Sequence, residues 1–412
     1  MDVLSRVTQR YAGTEGERAM LHAIRERLPE GVESRIEGFV SHLSPAFFFG
    51  LHVVLVVLAG LLGFWHPALG AVLCALVTLS LAGEGLGRFA LLRGLFPKSP
   101  SYNLMVREAA DPSLGAVVLS APMDVPAWRP LRRRWLTWRP LQLVFAAVLI
   151  VDTMLLLRTL AEPWGPRTLE LYVLALVVLA VTVVAGSVMH RLGEGSDDGG
   201  GPAALIELMR RFRELPVPGV DIWYAFTGCG HAHQGGMHAF LTLHDKTLLE
   251  PCLVVALDAP ARPPLRAAVS EGSLLAQHHR STGPALVERL RWAAVSVPPI
   301  DRGGATDARA ALVHGYRALA LSGGDGIANP EAADQVADVL ENIVRWYGED
   351  LARVADVRPA LQELARATEE ARAKAKERRR RRSRKGKGEP ASGQEGEEPA
   401  SGAPREQVGD SS

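Results

Sequence analysis

Cysteine is scarce in this chain, and no large net charge is present. The three cysteines among 412 residues, Cys74, Cys229 and Cys252, have the spacing of neither a metal site nor a disulfide framework. Their scarcity fits a reducing compartment. No Gly-Lys-Ser/Thr follows the glycine run 199–201, so that run is not a phosphate-binding loop. The 46 basic and 45 acidic residues leave a net charge of +1, but the two signs are unevenly distributed along the chain.

Four long apolar runs stand in the first half of the chain. They extend over Pro45 to Trp65, Pro67 to Gly83, Leu141 to about Leu157, and Leu171 to Met189. Each has about the length that a helix needs to cross the hydrocarbon core of a bilayer. The alternative is that the runs form buried core hairpins. Four such runs in one chain make this alternative less favoured. The runs therefore predict two transmembrane helical hairpins and the lipid bilayer as a partner.

Arginine and lysine side chains indicate the orientation of these predicted spans. The opposite turns hold only Arg158 and Arg167, whereas the loop between the hairpins and the segment after the last span are rich in basic residues. These residues are Arg88, Arg93, Lys98, Arg129, Arg132, Arg133, Arg134, Arg139 and Arg191. Because cytoplasmic loops carry the excess of basic residues, the pattern predicts an integral protein of a bacterial-type inner membrane with four spans. The soluble domain and both termini are then cytoplasmic.

Two ionisable side chains, His52 and Asp152, lie within the predicted spans. Such groups are functional candidates, since exposing them to lipid is costly. We favour a structural role, because His52 is near a helix end and Asp152, with Thr153, is placed to hydrogen-bond within a bundle. A small transport component centred on Asp152 is the alternative, and we rank it last.

Seven ordered segments carry a resemblance to a known family. The segments are Arg10–Arg18 (RYAGTEGER), Asn103–Arg107 (NLMVR), Ala116–Asp124 (AVVLSAPMD), Asp197–Leu208 (DDGGGPAALIEL), Ala225–Leu241, Leu253–Asp258 and Gly304–Ala308. Together they resemble the co-catalytic di-zinc aminopeptidases of metallopeptidase clan MH, as a degenerate, membrane-embedded member. The resemblance implies an α/β fold, a three-layer αβα sandwich with a mixed sheet, which the two hairpins interrupt.

Some positions of the family's metal site keep a usable side chain. By resemblance, Asp197 is the carboxylate that bridges the two zinc ions, with Asp198 beside it, and Asp258 is a ligand of the second ion. His231 takes the place of a metal-binding glutamate, and imidazole is an acceptable zinc ligand. Asp124 matches the residue that orients a ligand from outside the coordination shell.

Other positions of that site are vacated. The two zinc-binding histidines of the family fall at Pro122 and Ala308, neither of which coordinates a metal. The general base falls at Gly230, which has no side chain, so no catalytic residue is assigned. Cys229 near His231 is a possible nucleophile, but neighbours at a strand end point to opposite faces, which argues against it.

From this pattern we expect a binding or scaffolding module without catalytic activity or cofactor, whose ligand is an unidentified protein or peptide. The alternative is an active metal-dependent aminopeptidase or amidohydrolase with one zinc at Asp197, His231 and Asp258. The predicted organisation is a peptidase-like domain formed by 1–44, 93–140 and 191–368, transmembrane hairpins at 45–92 and 141–190, and a disordered tail at 369–412.

The tail is basic and then acidic. It contains five consecutive arginines, Arg378 to Arg382, within a basic block that ends at Lys387. Basic blocks bind nucleic acid or anionic lipid. Of the two we favour anionic lipid for the block Arg378–Lys387 and predict no nucleic-acid partner. A solvated tail with no specific partner is an equally supported alternative.

A peptide covering Arg378–Lys387 should bind anionic vesicles and be released as salt rises, because each basic residue contributes about 1 kcal/mol near such a surface. The acidic segment 388–412 is the control and should not bind. Vesicle co-sedimentation measures both, and equal binding of the basic peptide to neutral and anionic vesicles would contradict the prediction.

Overall fold

The structure, a computed structural model, describes residues 4, 7, 9–43, 45–86, 89–125, 139–160, 166–192, 199–271, 277–278, 288, 297–302, 305–324, 326 and 328–356. The chain divides into two units, Met1–Ala352 and Arg353–Ser412. The described elements lie in the first unit, except for the end of the last helix.

A nine-stranded mixed sheet forms the centre of the first unit. Its strands are β1 (Ser34–Ser41), β2 (Ser99–Glu108), β3 (Gly115–Pro122), β4 (Val220–Thr227), β5 (Cys252–Asp258), β6 (Arg266–Glu271), β7 (Gln277–His278), β8 (Pro299–Arg302) and β9 (Arg317–Ser322). Their order across the sheet is β1-β2-β4-β3-β5-β9-β6-β7, and β8 pairs with β6. The four central strands β4, β3, β5 and β9 are parallel, whereas β1 and β2 at one edge and the β6–β7 pair at the other are antiparallel.

Helices cover both faces of this sheet. They are α1 (Glu15–Arg25), α6 (Gly200–Glu214), α7 (Gly235–His244), α8 (Asp307–Val313) and α9, the helix over 330–356. The first core cluster joins residues of α1, α6 and α9 to one face of the strands, and the second joins α7 and α8 to the other face. The prediction of an α/β fold with a mixed sheet between helices is confirmed.

The central strand β3 shows why the sheet is buried on both sides. All eight of its residues are buried. Val117 and Leu119 pack into the first cluster, and Ala116 and Val118 pack into the second, because successive side chains of a strand point to opposite faces. A run of small and β-branched residues such as this is typical of parallel strands covered on both faces.

Four further helices form a separate layer of packing. They are α2 (Pro45–Leu62) and α3 (Pro67–Leu86), which lie between β1 and β2 in the chain, and α4 (Arg139–Leu160) and α5 (Pro166–Leu192), which lie between β3 and α6. Their buried residues form a core cluster of their own that includes Val56, Val148, Leu155 and Leu179. Their outer faces still expose large apolar side chains, including Leu58, Leu76 and Leu174.

These helices correct the membrane prediction. Within the described residues, α3 alone is long and apolar enough to cross a membrane, while the apolar parts Phe47–Leu62 of α2 and Thr168–Val181 of α5 are shorter. The prediction of two transmembrane hairpins is therefore wrong. So is the localisation derived from it, a four-span protein of the inner membrane with a cytoplasmic domain and termini. An apolar run indicates only that a helix avoids water, and here the neighbouring helices cover part of that apolar surface.

The first helix is held at its start by Glu17. The Glu17 carboxylate accepts hydrogen bonds from the backbone N–H of Gly13 (2.9 Å), from the Ser101 hydroxyl (2.8 Å) and from the backbone N–H of Cys229 (2.7 Å). Burial and the negative charge of Asp124 raise the pKa of Glu17 to about 7. One side chain thus connects α1, β2 and the loop that follows β4.

We expect Glu17→Ala to lower the free energy of unfolding by about 2–4 kcal/mol, because three donors in the interior lose their acceptor. Glu15→Ala on the same helix is the matched control, since the Glu15 side chain is 86% exposed and its ion pair with Arg18 is at the surface. Urea unfolding of both variants measures the difference, and equal midpoints would show that Glu17 is not a structural anchor.

Candidate functional site

The candidate site lies where the central parallel strands end. Asp124 follows β3 by two residues, Thr227 is the last residue of β4, and Asp258 is the last residue of β5. His231 lies in the loop between β4 and α7, and Asp307 begins α8. The carboxyl ends of parallel strands meet at one edge of a sheet, and this edge is where ligands bind in open α/β folds.

Asp124 shapes the loop that carries His231. Its side chain is fully buried. Its Oδ1 accepts from the backbone N–H of Gly230 at 2.7 Å, and its Oδ2 accepts from the backbone N–H of His231 at 3.0 Å. Two backbone donors thus converge on one carboxylate, which fixes the position of residues 230 and 231.

Both ring nitrogens of His231 are engaged as donors. Nδ1 donates to the backbone carbonyl oxygen of Asp124 at 3.0 Å, and Nε2 donates to Oδ1 of Asp258 at 3.0 Å. A carbonyl oxygen and a carboxylate oxygen only accept, so each ring nitrogen must carry a hydrogen. With Asp258 ionised, the geometry therefore requires the positively charged form of the imidazole.

The electrostatics of the site agree with that requirement. Burial alone disfavours the charged imidazole, but the interactions with Asp124 and Asp258 outweigh it and raise the pKa of His231 from its usual 6.5 to about 10. The side chains of His231 and Asp258 are 15% and 14% exposed, so water screens their attraction weakly. The imidazolium supplies a positive charge between two carboxylates.

The vacated positions Pro122 and Gly230 are in contact. A Cβ atom added to Gly230 would lie 2.5 Å from Cβ of Pro122 and 3.2 Å from Oδ1 of Asp124. The first distance is much shorter than a van der Waals contact, so a side chain at position 230 has no room in this backbone arrangement. Ala308, the other vacated position, is fully buried in the core cluster of α7 and α8.

Two acidic residues of this region, Asp307 and Glu271, were not among the site residues predicted from the sequence. Asp307 is buried, and its Oδ2 accepts from the Thr227 hydroxyl at 2.7 Å. Burial, with a smaller contribution from the charge of Asp124, raises the pKa of Asp307 to about 6. Glu271 accepts from the hydroxyl of Thr306 at 2.7 Å and from its N–H at 3.2 Å. Asp307 lies beside Ala308 in the segment Gly304–Ala308, which carries the family resemblance, and this position could have indicated that Asp307 belongs to the site. Nothing in the sequence marks Glu271.

The remaining predicted residues lie elsewhere. Asp197 and Asp198 fall outside the described residues. His52 is buried in the helical layer, where its Nδ1 donates to the carbonyl oxygen of Phe48 at 2.6 Å and its Nε2 accepts from the Ser80 hydroxyl at 3.0 Å. Asp152 interacts with the thiol of Cys74 on α3. Both side chains therefore make contacts within the helical layer.

Cys229, the possible nucleophile, is placed unfavourably for catalysis. The thiol is buried, and this burial, with a smaller contribution from the charge of Glu17, raises its pKa well above the usual range. A nucleophilic cysteine needs the opposite, a stabilised thiolate. The local environment of Cys229 therefore argues against nucleophilic catalysis.

The described residues do not fit the zinc ions that the resemblance implies. Zinc binds a nitrogen lone pair, and the hydrogen bonds of His231 leave it none. Within the described part of the chain, no group of three or more histidine, cysteine, aspartate or glutamate side chains is arranged to hold a metal ion. Asp258, the second predicted ligand, is directed at His231 instead.

The raised pKa of His231 predicts a specific dependence of stability on pH. The folded protein binds more protons than the unfolded chain between pH 6.5 and about 10, so this contribution to stability is present below pH 6.5 and is lost as the pH rises through about 10. The thermal midpoint of the protein should therefore fall towards that of His231→Gln between about pH 6 and about pH 9.5. His22→Gln, at an exposed position of α1, controls for the loss of a histidine. A difference between the protein and His231→Gln that does not change with pH would contradict the assignment.

Comparisons with known proteins give likenesses to solved structures alone. No protein-family model and no curated protein matches the chain. Glutaminyl cyclase from Tannerella forsythia is 10% identical with a TM-score of 0.45, over 84% of this chain and 95% of its own. A leucine aminopeptidase precursor from Bacteroides thetaiotaomicron is 9% identical with a TM-score of 0.44, over 84% and 93%. A zinc aminopeptidase from Bacillus subtilis is 11% identical with a TM-score of 0.43, over 82% and 92%.

Matches at this level carry no conclusion about activity. The mixed sheet, the helices on both of its faces and the motif residues gathered at the strand ends are observations on this chain itself. By these features the described part of the chain is an α/β fold with a mixed sheet between two layers of helices.

Proposed function

We propose that this chain is a binding or scaffolding module that has an aminopeptidase-like fold and no hydrolytic activity. The observation that carries the proposal is the double hydrogen bond of the His231 ring, to the Asp124 carbonyl oxygen and to the Asp258 carboxylate. Its ligand class is a protein or a peptide, as expected from the sequence.

Metal-assisted hydrolysis needs three things at such a site. It needs ligands with lone pairs, a metal ion that polarises the substrate and activates water, and a base that takes the proton of that water. Asp258 is occupied by an internal cation, and Gly230 supplies no base. The imidazolium of His231 offsets the charge of the carboxylates that a metal ion would otherwise compensate.

The alternative, a single zinc ion at Asp197, His231 and Asp258, requires this arrangement to be undone. The His231 ring must lose a proton, which costs about 4 kcal/mol at pH 7 for a group whose pKa is about 10. The hydrogen bond with Asp258 must then break. Both costs are subtracted from the free energy of metal binding, so we do not favour the alternative.

Restoring one residue would not restore the site. A glutamate at position 230 would meet the Cβ atom of the residue at position 122, and a histidine at position 122 would still lack the base. Both residues would have to change, and the backbone at position 230 would have to shift, before a ligand and a base were present together. This requirement supports a site without hydrolytic activity.

Untagged protein, after dialysis against metal-free buffer, should retain well under one zinc ion per chain. It should show no chelator-sensitive hydrolysis of aminoacyl substrates. Elemental analysis and a fluorogenic aminopeptidase assay measure the two quantities. Asp258→Ala is the matched variant, and it should leave both results unchanged.

A different result for zinc content and turnover would contradict the proposed function. One or more tightly held zinc ions per chain, together with turnover that both Asp258→Ala and a chelator abolish, would overturn the proposal. It would show that His231 releases Asp258 when metal is present, and that the base comes from a residue other than the one at position 230.

A further inference from the structure

A pair of histidines lies away from the site described above. His238 is the fourth residue of α7, and His314 directly follows α8. Their ring centroids are 5.3 Å apart. Nδ1 of His238 is 3.1 Å from Nε2 of His314, so the two rings share one hydrogen.

The spacing of these nitrogens suits a metal ion as well as a shared proton. Zinc lies 2.0–2.1 Å from a histidine nitrogen and prefers tetrahedral coordination, which places two such nitrogens about 3.3–3.4 Å apart. The observed 3.1 Å differs from that by a few tenths of an ångström. The ion lies off the line that joins the two nitrogens, so each ring turns by about 35° to direct its lone pair at the ion.

The protonation state of the pair is also suitable. In a hydrogen bond between two ring nitrogens, one nitrogen must be an unprotonated acceptor, so at least one ring is neutral. Neutral imidazole is the form that binds metal ions. His314 is exposed and His238 is half-buried, so an ion reaches the pair from solvent with its remaining water ligands.

The surrounding charges set a limit on the affinity. Arg93 and Arg309 act electrostatically on His238 and repel a cation, whereas Asp245 acts on His314 with the opposite sign. With two protein ligands and two nearby arginines, binding is weaker than at a structural site with four protein ligands. Such an ion is lost on dialysis and returns when the metal is added.

We propose that His238 and His314 form a binding site for a divalent transition-metal ion, with water completing its coordination. The ion ties α7 to α8. These helices begin at the candidate site, since α7 follows the loop that carries His231 and α8 begins at Asp307. Binding therefore braces the site from outside, and it depends on neither Asp258 nor His231.

The test uses untagged full-length protein, calorimetric titration and thermal unfolding. Ni²⁺, Co²⁺ and Mn²⁺ are added separately, and the affinity should fall in that order, because imidazole sites follow the general stability series of these ions. One ion should bind per chain, and a saturating concentration should raise the thermal midpoint. Mg²⁺, which prefers oxygen ligands, should have no effect.

Variants separate chelation from folding. His314→Gln places an amide where the imidazole was, which can still hydrogen-bond with His238 but is a poor ligand for these ions. It should unfold at the midpoint of the metal-free protein and bind Ni²⁺ at least tenfold more weakly. His238→Ala should lose binding to the same extent, and His22→Ala on α1 should bind as the unchanged protein does.

Several results would overturn the proposed metal site at His238 and His314. Absence of saturable Ni²⁺ binding would do so, as would binding that survives both His238→Ala and His314→Gln. Binding that persists in these variants but disappears in His231→Gln would place the ion at the strand ends. That result would contradict the proposed function as well, whereas the first two would leave it intact.

Discussion

The charged hydrogen bonds of the His231 ring organise the strand ends on which the candidate site depends. Asp124 fixes residues 230 and 231 through their backbone N–H groups, and His231 in turn reaches from the end of β3 to the end of β5. Burying carboxylates without compensation is costly. The imidazolium removes that cost inside the chain, with no need for an ion from solution.

This internal compensation explains the residues around it. A cation already lies between Asp124 and Asp258. The close approach of the Pro122 Cβ atom to Gly230 leaves no room for a side chain at position 230 in this backbone arrangement. Glu17 supports the same loop from behind, because its carboxylate accepts from the N–H of Cys229. The site is thus held by hydrogen bonds from several directions.

In the layer formed by α2 to α5, the sequence predicted the helices but not how they pack. The apolar runs predicted helices correctly, and four helices are present. The packing of the four helices against one another was not predictable from the runs, because the runs carry no polar stripe that would distinguish one face from another. The polar residues inside the layer find partners across helices: His52 with Ser80, Asp152 with Cys74, and the Tyr172 hydroxyl with the carbonyl oxygen of Gly60. These contacts bring together residues that are distant in the chain.

The alternation of strand and helix signals indicated the α/β class, whereas the mixed sheet and the site at the strand ends were implied by the resemblance of the ordered motifs. Local sequence is enough for the class, because strand burial and turn residues leave a signal within a few positions. The sequence also identified His231, Asp258 and Asp124 as members of one site. It did not determine that His231 binds Asp258 instead of a metal ion, that Asp307 and Glu271 are buried nearby, or that His238 meets His314. Each of these contacts joins residues at least 27 positions apart, and only the tertiary structure sets such distances and the proton positions that follow from them.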